Sequence, residues 1–306
     1  MRPPIPLPPT LTVFERGWLS SNNVLFDDGD AVSIVDTGYD LHAEQTLALV
    51  ERARAGRPLT RIVNTHLHSD HAGGNARLRE AHGCTIAIPR GLAGAVARWD
   101  TDALSYAATN QPCRRFMYDA LIADGDALTL GGLRWQVLAA PGHDVHMVML
   151  FNADHGVLIS ADALWEHGFG AIFPEIEGES GFAEQRAALA LIERCAPRVV
   201  IPGHGAPFTD VAAALARAQA RLAALSADPA RNARQVARAL IKFWLLECRT
   251  VPLDTLVAHF AAARYLTLIN ERYFRQPFDA FIRRCVAELA AAGAARIDGD
   301  IVSNVD

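Results

Sequence analysis

The sequence predicts an α/β chain: strands and helices alternate to about residue 210, and a run of helices follows. Three observations carry that class. Short runs rich in Val, Ile and Leu, such as Leu59 to Val63 and Val157 to Ser160, read as buried strands, with helix-periodic segments between them. Residues that carry chemistry collect in the loops that follow those runs. Beyond Ser226-Ala227-Asp228-Pro229 the strand pattern stops and apolar residues recur at helical spacing. Two domains are therefore expected, residues 1–228 and residues 229–306.

Taken in order, Leu11 to Phe14, Asn23 to Phe26 and Ala31 to Val35 read as strands, with Asp28-Gly29-Asp30 as the hairpin turn between the last two. His42 to Arg54 reads as an amphipathic helix on the spacing of Leu47 and Val50. Leu59 to Val63 is a strand, Asn75 to Ala81 a helix, and Thr85 to Ile88 a strand stopped by Pro89. The second half repeats the pattern: Leu133 to Leu138, Val145 to Phe151, Val157 to Ser160, a helix from Phe182 to Cys195, and Arg198 to Ile201. Two sheets packed face to face under helices are consistent with that repetition. A helix follows on Val211, Leu215, Leu222 and Leu225, and further helices are expected over Asn232 to Cys248 and after Pro252 and Pro277. Asp298-Gly299 centres a last small hairpin.

Composition narrows the function classes. A net charge of −5 argues against wholesale binding of nucleic acid or an anionic membrane. Of the 29 basic residues only Lys242 is a lysine, which reads as a coding preference for Arg. Five scattered cysteines without C-x-x-C spacing read as buried thiols of a reducing compartment. Prolines occupy the stretch Met1 to Pro9 where a signal peptide needs an apolar helix, and no stretch reaches membrane-spanning length, so a cytoplasmic location is expected.

The chemistry centres on Asn64-Thr65-His66-Leu67-His68-Ser69-Asp70-His71-Ala72-Gly73-Gly74, which places three imidazoles and a carboxylate within six residues. In an extended segment His66 and His68 fall on one side, and a turn brings Asp70 and His71 to the same cavity. Imidazole with carboxylate and no thiolate suits zinc, iron or manganese better than calcium or magnesium.

At these residues the sequence resembles the metallo-β-lactamase superfamily, and the rest of that family's signature follows in order. Ala140-Pro141-Gly142-His143 matches its next ligand, and Ile159-Ser160-Ala161-Asp162 its bridging carboxylate. Ile201-Pro202-Gly203-His204-Gly205 matches its last histidine, and Val35-Asp36-Thr37-Gly38 its supporting aspartate, Asp36. The resemblance spans about residues 10 to 210 and implies a four-layer αββα sandwich. It also implies two ions, expected as zinc with iron or manganese as alternatives: one on His66, His68 and His143, one on Asp70, His71 and His204, with Asp162 bridging. Such a pair holds a hydroxide at neutral pH, and Asp70 would both ligate and orient the nucleophile or protonate the leaving group. His146, where many relatives have glycine, is read as a support for the ligands or a substrate donor rather than a ligand.

Two segments are expected to shape the substrate pocket. Gly91 to Asp119 is longer than a connection requires; it is either a lid or a helical excursion whose aromatics pack on the sandwich, and Arg114 and Arg115 suit an anionic substrate. Trp165, His167, Phe169 and Phe173, just after Asp162, are candidates for substrate contact.

The bridging Asp162 stands where the best-known zinc β-lactamases have a cysteine or no bridge, and no lysine is expected near the site to hold a lactam carboxylate. The resemblance therefore points to glyoxalase II-like thioesterases and lactonases, and to hydrolysis of a carboxylic ester, lactone or thioester of a small molecule. Helices ending in a hairpin resemble the winged-helix tail of relatives that include ribonucleases, so a phosphodiesterase or ribonuclease is the first alternative. Five arginines between Arg264 and Arg284 give that region a modest basic bias. A mono-iron persulfide dioxygenase and a non-catalytic metal- or ligand-binding protein are the others. Assembly as a homodimer is compatible with the sequence.

Overall fold

The structure, a computed structural model, describes residues 5–305. The proline-rich start read above falls partly on residues 1–4, outside the described residues. Strands β1 (Leu11–Phe14), β2 (Asn23–Asp27) and β3 (Val32–Val35) form an antiparallel meander, and α1 (Ala43–Arg54) then leads to β4 (Leu59–Val63), parallel to β3. The short α2 (Ser69–Ala72) and α3 (Asn75–His82) follow, then β5 (Thr85–Pro89), α4 (Ala93–Arg98), α5 (Tyr106–Thr109) and β6 (Ala120–Ile122). Together the strands make a six-stranded sheet in the order β1-β2-β3-β4-β5-β6.

The second sheet is built from β7 (Ala127–Leu130), β8 (Leu133–Ala139), β9 (Val148–Asn152), β10 (Val157–Ala161) and β11 (Val199–Pro202), in the order β11-β10-β9-β8-β7. Helix α6 (Pro174–Glu177) and helix α7 (Phe182–Cys195) lie between β10 and β11 in the chain, and α8 (Val211–Ala227) follows β11.

Side-chain alternation along the strands turns these sheets into four layers. Val24 and Phe26 of β2 meet Trp135, Val137, Val157, Ile159, Val199 and Ile201 of the other sheet in one buried cluster between the sheets. Leu25, Ile62 and Ile86 point the opposite way, into a cluster with Val50 and Leu78 of the covering helices. Leu158 and Val200 do the same on the far face, against Leu189, Ile192, Leu215 and Leu222 of α7 and α8. The result is helix, sheet, sheet, helix, the αββα class expected from the sequence. Strands β6 and β7, not among those the sequence predicts, have only three and four residues and little alternation to mark them. The strand expected from Val145 starts three residues later, at Val148, because Val145 and His146 are exposed in the loop that carries His143.

After α8 the chain breaks at Asp228 and continues as α9 (Pro229–Cys248), β12 (Thr250–Pro252), α10 (Leu253–Phe260), α11 (Arg264–Ile269), α12 (Phe278–Ala291), β13 (Ala295–Asp298) and β14 (Ile301–Asn304). A five-residue π-helical turn, Asn270–Phe274, extends α11. The final hairpin turns at Gly299 and pairs through β14 with β12, giving a three-stranded sheet in the order β12-β14-β13. This region has its own apolar cluster, including Leu240, Ile241, Leu245, Phe260, Leu266, Phe281 and Ile282, into which Ala108 and Ile176 of the preceding region insert. Helix α9 faces two ways: Val236, Ile241 and Leu245 enter this cluster, while Phe243 and Leu246 are turned toward the sandwich. No helix among the described residues is long and apolar enough to cross a membrane.

Candidate metal centre

The ligand-type residues converge at one edge of the sandwich because each follows the end of a strand or begins a short helix there. Asp36 follows β3, His66 and His68 lie in the loop after β4, Asp70 and His71 sit on α2, and His143 lies between β8 and β9. Asp162 follows β10 and His204 follows β11. The backbone turns sharply at two of these ends. Asp36 has φ 56° and Ala161 has φ 46°, left-handed values unusual for residues with a Cβ and typical of functional turns. The turn at Ala161 coincides with a register shift between β10 and β11 and aims Asp162 out of the sheet.

Three ring nitrogens crowd at one point: His66 Nε2 is 3.1 Å from His68 Nδ1, which is 2.8 Å from His143 Nε2. Burial is the main cause disfavouring their charged forms; neighbouring imidazoles add to it, His71 at His66 and His68, and His68 at His143, while Asp70 partly opposes it at His68. His66 is held well below the ordinary imidazole range, and His68 and His143 are pushed down to about 4. The His143 Nδ1–H donates to the Ala171 carbonyl at 2.5 Å, which leaves Nε2 as the lone-pair atom. Neutral imidazoles whose lone pairs face each other repel, and a cation between them removes the conflict.

The other half is richer in charge. His204 Nε2 lies 3.0 Å from Asp70 Oδ2, and His71 Nε2 is buried with no hydrogen-bond partner, 3.9 Å from Asp70 Oδ2 and 3.6 Å from Asp162 Oδ2. Burial alone would push His71 down, but Asp162, Asp36 and Asp70 outweigh it and hold it well above its ordinary value. Asp162 is likewise driven well below the carboxylate range because His71 and His204 outweigh its burial. Asp162 Oδ2 is also 3.3 Å from His143 Nε2, so one carboxylate oxygen reaches both groups of histidines. The donor atoms of His66, His68 and His143 lie within 4.8 Å of one another, as do those of Asp70, His71 and His204. This pocket of acceptors, with an orphaned buried nitrogen at its centre, fits bound cations.

A second ring of bonds fixes these groups. Asp36 Oδ2 accepts from His71 Nδ1–H at 2.8 Å and from the Thr65 hydroxyl at 2.7 Å, and its Oδ1 accepts from the Thr65 amide at 2.9 Å. Trp165 Nε1–H donates to Asp162 Oδ1 at 3.1 Å. Two glycines leave room: a methyl at Gly203 would sit 2.1 Å from Asp162 Oδ1, and one at Gly170 would sit 2.4 Å from His143 Nδ1.

A cavity of about 360 Å³ opens onto Asp70, Asp162 and His204. Trp165 and Phe173 line it as expected from their position after Asp162. Other expected contacts lie elsewhere. Phe169 is fully buried with the Arg221 guanidinium over its ring, just after the backbone turns at Gly168, φ 140°. His167 is exposed beside Glu166, and lines no cavity at the site. Arg114 pairs with Asp40 and Glu80 on the outer surface, and Arg115 is exposed on the same stretch, so neither reaches the cavity. His146 is exposed against Gly91 in a neighbouring cleft and supports none of the ligand rings through a hydrogen bond. In the Gly91 to Asp119 segment Trp99, Tyr106 and Phe116 pack together, while Ser105, Thr109 and Gln111 form part of the cavity wall.

Residues that the sequence did not reveal complete the cavity. Trp18 stacks on His204, ring centroids 5.4 Å apart and 8° from parallel, and meets Trp165 edge-on. Helix α9 supplies Ala239, Leu240, Lys242, Phe243 and Leu246. The one lysine is thus close to the site after all, but its ammonium donates to Ala294 O, Asn304 Oδ1 and Val305 O on the far side of α9.

The profile of the Metallo-beta-lactamase superfamily matches residues 16–204, which brackets the ligand cluster from just before Trp18 to His204. The chain belongs to the metallo-beta-lactamase superfamily. Within that superfamily, it is 32% identical over 125 residues to a hydroxyacylglutathione hydrolase of Rhodopseudomonas palustris, a stretch covering 41% of this chain and 42% of the relative. It is 31% identical over 175 residues to the enzyme of that name from Rhodospirillum rubrum, covering 56% and 58%. The chain thus matches about half the length of these relatives. A beta-lactamase domain protein from Burkholderia ambifaria shares the fold over nearly the whole chain, with a TM-score of 0.59, 20% identity, and 98% and 94% of the two chains covered.

Proposed function

We propose that this superfamily member is a metal-dependent hydrolase that cleaves a carboxylic ester, lactone or thioester. The observation that carries the reading is the position of Asp162 Oδ2, 3.3 Å from His143 and 3.6 Å from His71, between two sets of donors. His66, His68 and His143 would hold one ion, Asp70, His71 and His204 a second, with Asp162 shared; zinc fits the borderline character of these donors. When bound, such a pair lowers the pKa of water toward about 7 and polarises the bond to be broken.

The chain's own residues do the rest. Asp36 takes the His71 Nδ1–H, so that Nε2 faces the site, and Trp165 holds Oδ1 of Asp162, leaving Oδ2 to the histidines. Asp70, at the cavity mouth beside His204, is placed to accept a proton from the attacking water or return it to the leaving group. Trp18, Trp165 and Phe173 restrict water around the reacting carbonyl. The likeness to relatives named hydroxyacylglutathione hydrolase supports thioester cleavage. A phosphodiester fits less well, because among the described residues Lys242 is the one Lys or Arg lining this cavity, and its ammonium is engaged by Ala294 O, Asn304 Oδ1 and Val305 O.

Elemental analysis with a turnover screen on a lactone, a thioester, an aryl ester and bis-p-nitrophenyl phosphate tests the reading. Two ions per chain and turnover of the first three are expected. One iron per chain, or turnover of the phosphate alone, would contradict it.

A further inference from the structure

We propose that the face of α9 turned toward the metal centre, together with Trp18 and Trp165, is an acyl-binding pocket that selects an uncharged aliphatic acyl group of medium length. The proposal rests on the hydrolase reading and names the substrate class it leaves open.

Two clefts of about 360 Å³ each flank the ligand cluster, and His68, Ser105, His143 and Phe173 line both. They differ in chemistry. The first carries Arg98, Asp144, His146, Glu177 and Glu179. The second, beyond the ligands themselves, is walled by Trp18, Trp165, Phe173, Leu240, Phe243 and Leu246, with Ser105, Thr109 and Gln111 as its neutral polar groups and Lys242 as its one charged side chain among the described residues. Gln111 Oε1 is already bonded to the Ser69 hydroxyl at 2.6 Å.

A charged acyl group in the second cleft would lose its water beside a wall whose one lysine, Lys242, already gives its ammonium to Ala294 O, Asn304 Oδ1 and Val305 O, while an aliphatic chain would gain by leaving water. The scissile carbonyl belongs over the histidines that both clefts share. That fixes a direction: acyl chain toward α9, polar leaving group toward Arg98 and the acidic residues. Phe243 is the residue best placed to set depth. It sits midway along the α9 wall and packs edge-on against Tyr39 with centroids 5.1 Å apart, while the Tyr39 hydroxyl donates to Glu247 one turn further along at 3.0 Å. The wall is therefore anchored to the sandwich.

The test measures kcat/KM of the metal-loaded protein on p-nitrophenyl acetate, butyrate, hexanoate and octanoate, and titrates octanoate and butyrate calorimetrically. Each added methylene buried is worth about fourfold, from about 0.8 kcal/mol, so a rise of that order per carbon is expected until the cavity is filled. Phe243→Trp should lower the octanoate-to-acetate ratio, and Leu246→Ala should raise it. Octanoate should bind more tightly than butyrate, and lose that advantage in Phe243→Trp. A flat or falling profile, a preference for succinyl over butyryl esters, or ratios unmoved by both variants would overturn the pocket assignment while leaving the hydrolase standing. If no ester or thioester is turned over, the hydrolase reading falls. The titration then decides the pocket alone, equal binding of the two acids sinking it.

Discussion

The metal centre and the cavity above it are adjacent but were written into the sequence in different ways. The centre is made of short, dense motifs: H-x-H-x-D-H, Pro-Gly-His, Ser-Ala-Asp and Pro-Gly-His-Gly, each at a strand end. The cavity is made of single residues from distant segments: Trp18, Gln111, Phe173 and one face of α9. Groups that must hold cations need fixed donors within a few ångströms, which constrains contiguous residues. An apolar wall needs only bulk at the right place, which any docked element supplies.

That contrast predicts how each region should respond to change, and the largest effects fall at the centre. Replacing Asp70 by Asn keeps an oxygen but removes the charge and the proton-carrying group. Turnover should fall about 10²–10⁴-fold, with metal content reduced less, as paired kinetics and elemental analysis would show. Asp36→Asn leaves His71 without its carboxylate partner. Metal affinity should drop about 10–100-fold, measured by competition with a chromophoric chelator. Affinity should also weaken as pH falls toward about 4, where protons begin to compete with the metal for His68 and His143, whose charged forms burial disfavours above that range.

Gly203→Ala tests whether the centre is as tightly packed as its distances say. The new methyl would displace Asp162, so metal content should fall without loss of secondary structure by circular dichroism. The wall should be more forgiving. Tyr39→Phe removes the bond to Glu247 that ties α9 to the sandwich, and should cost about 1 kcal/mol, seen as a small drop in Tm. Smallest of all, burial pushes the thiols of Cys84, Cys113 and Cys285 up to about 11, 12 and 12, so alkylation of the native protein near pH 8 should be slow at these sites and fast after unfolding.

The same contrast explains what could be read from the sequence. Sheets and covering helices were legible because their apolar periods are long and regular; Leu59–Val63 and Phe182–Cys195 fall where the pattern puts them. The seven ligand-type residues were legible as a set because five ordered motifs agree. Which neighbours face the cavity was not. Trp165 and Phe169 are four residues apart in one loop, yet one bonds Asp162 and the other lies in the core under Arg221, with the backbone between them turning at Gly168, φ 140°. Arg114 looked like an anion binder in isolation and is spent on Asp40 and Glu80. Nothing in α9 alone distinguishes Phe243 from Leu245. Only its docking on both the C-terminal cluster and the sandwich separates the two faces.

Metal stoichiometry of the purified protein beside Asp162→Ala and His204→Ala tests the central claim most directly. The account predicts two ions per chain in the parent, at most one retained tightly in each variant, and hydrolysis lost with the ion. Full metal content and undiminished rate in either variant would contradict it.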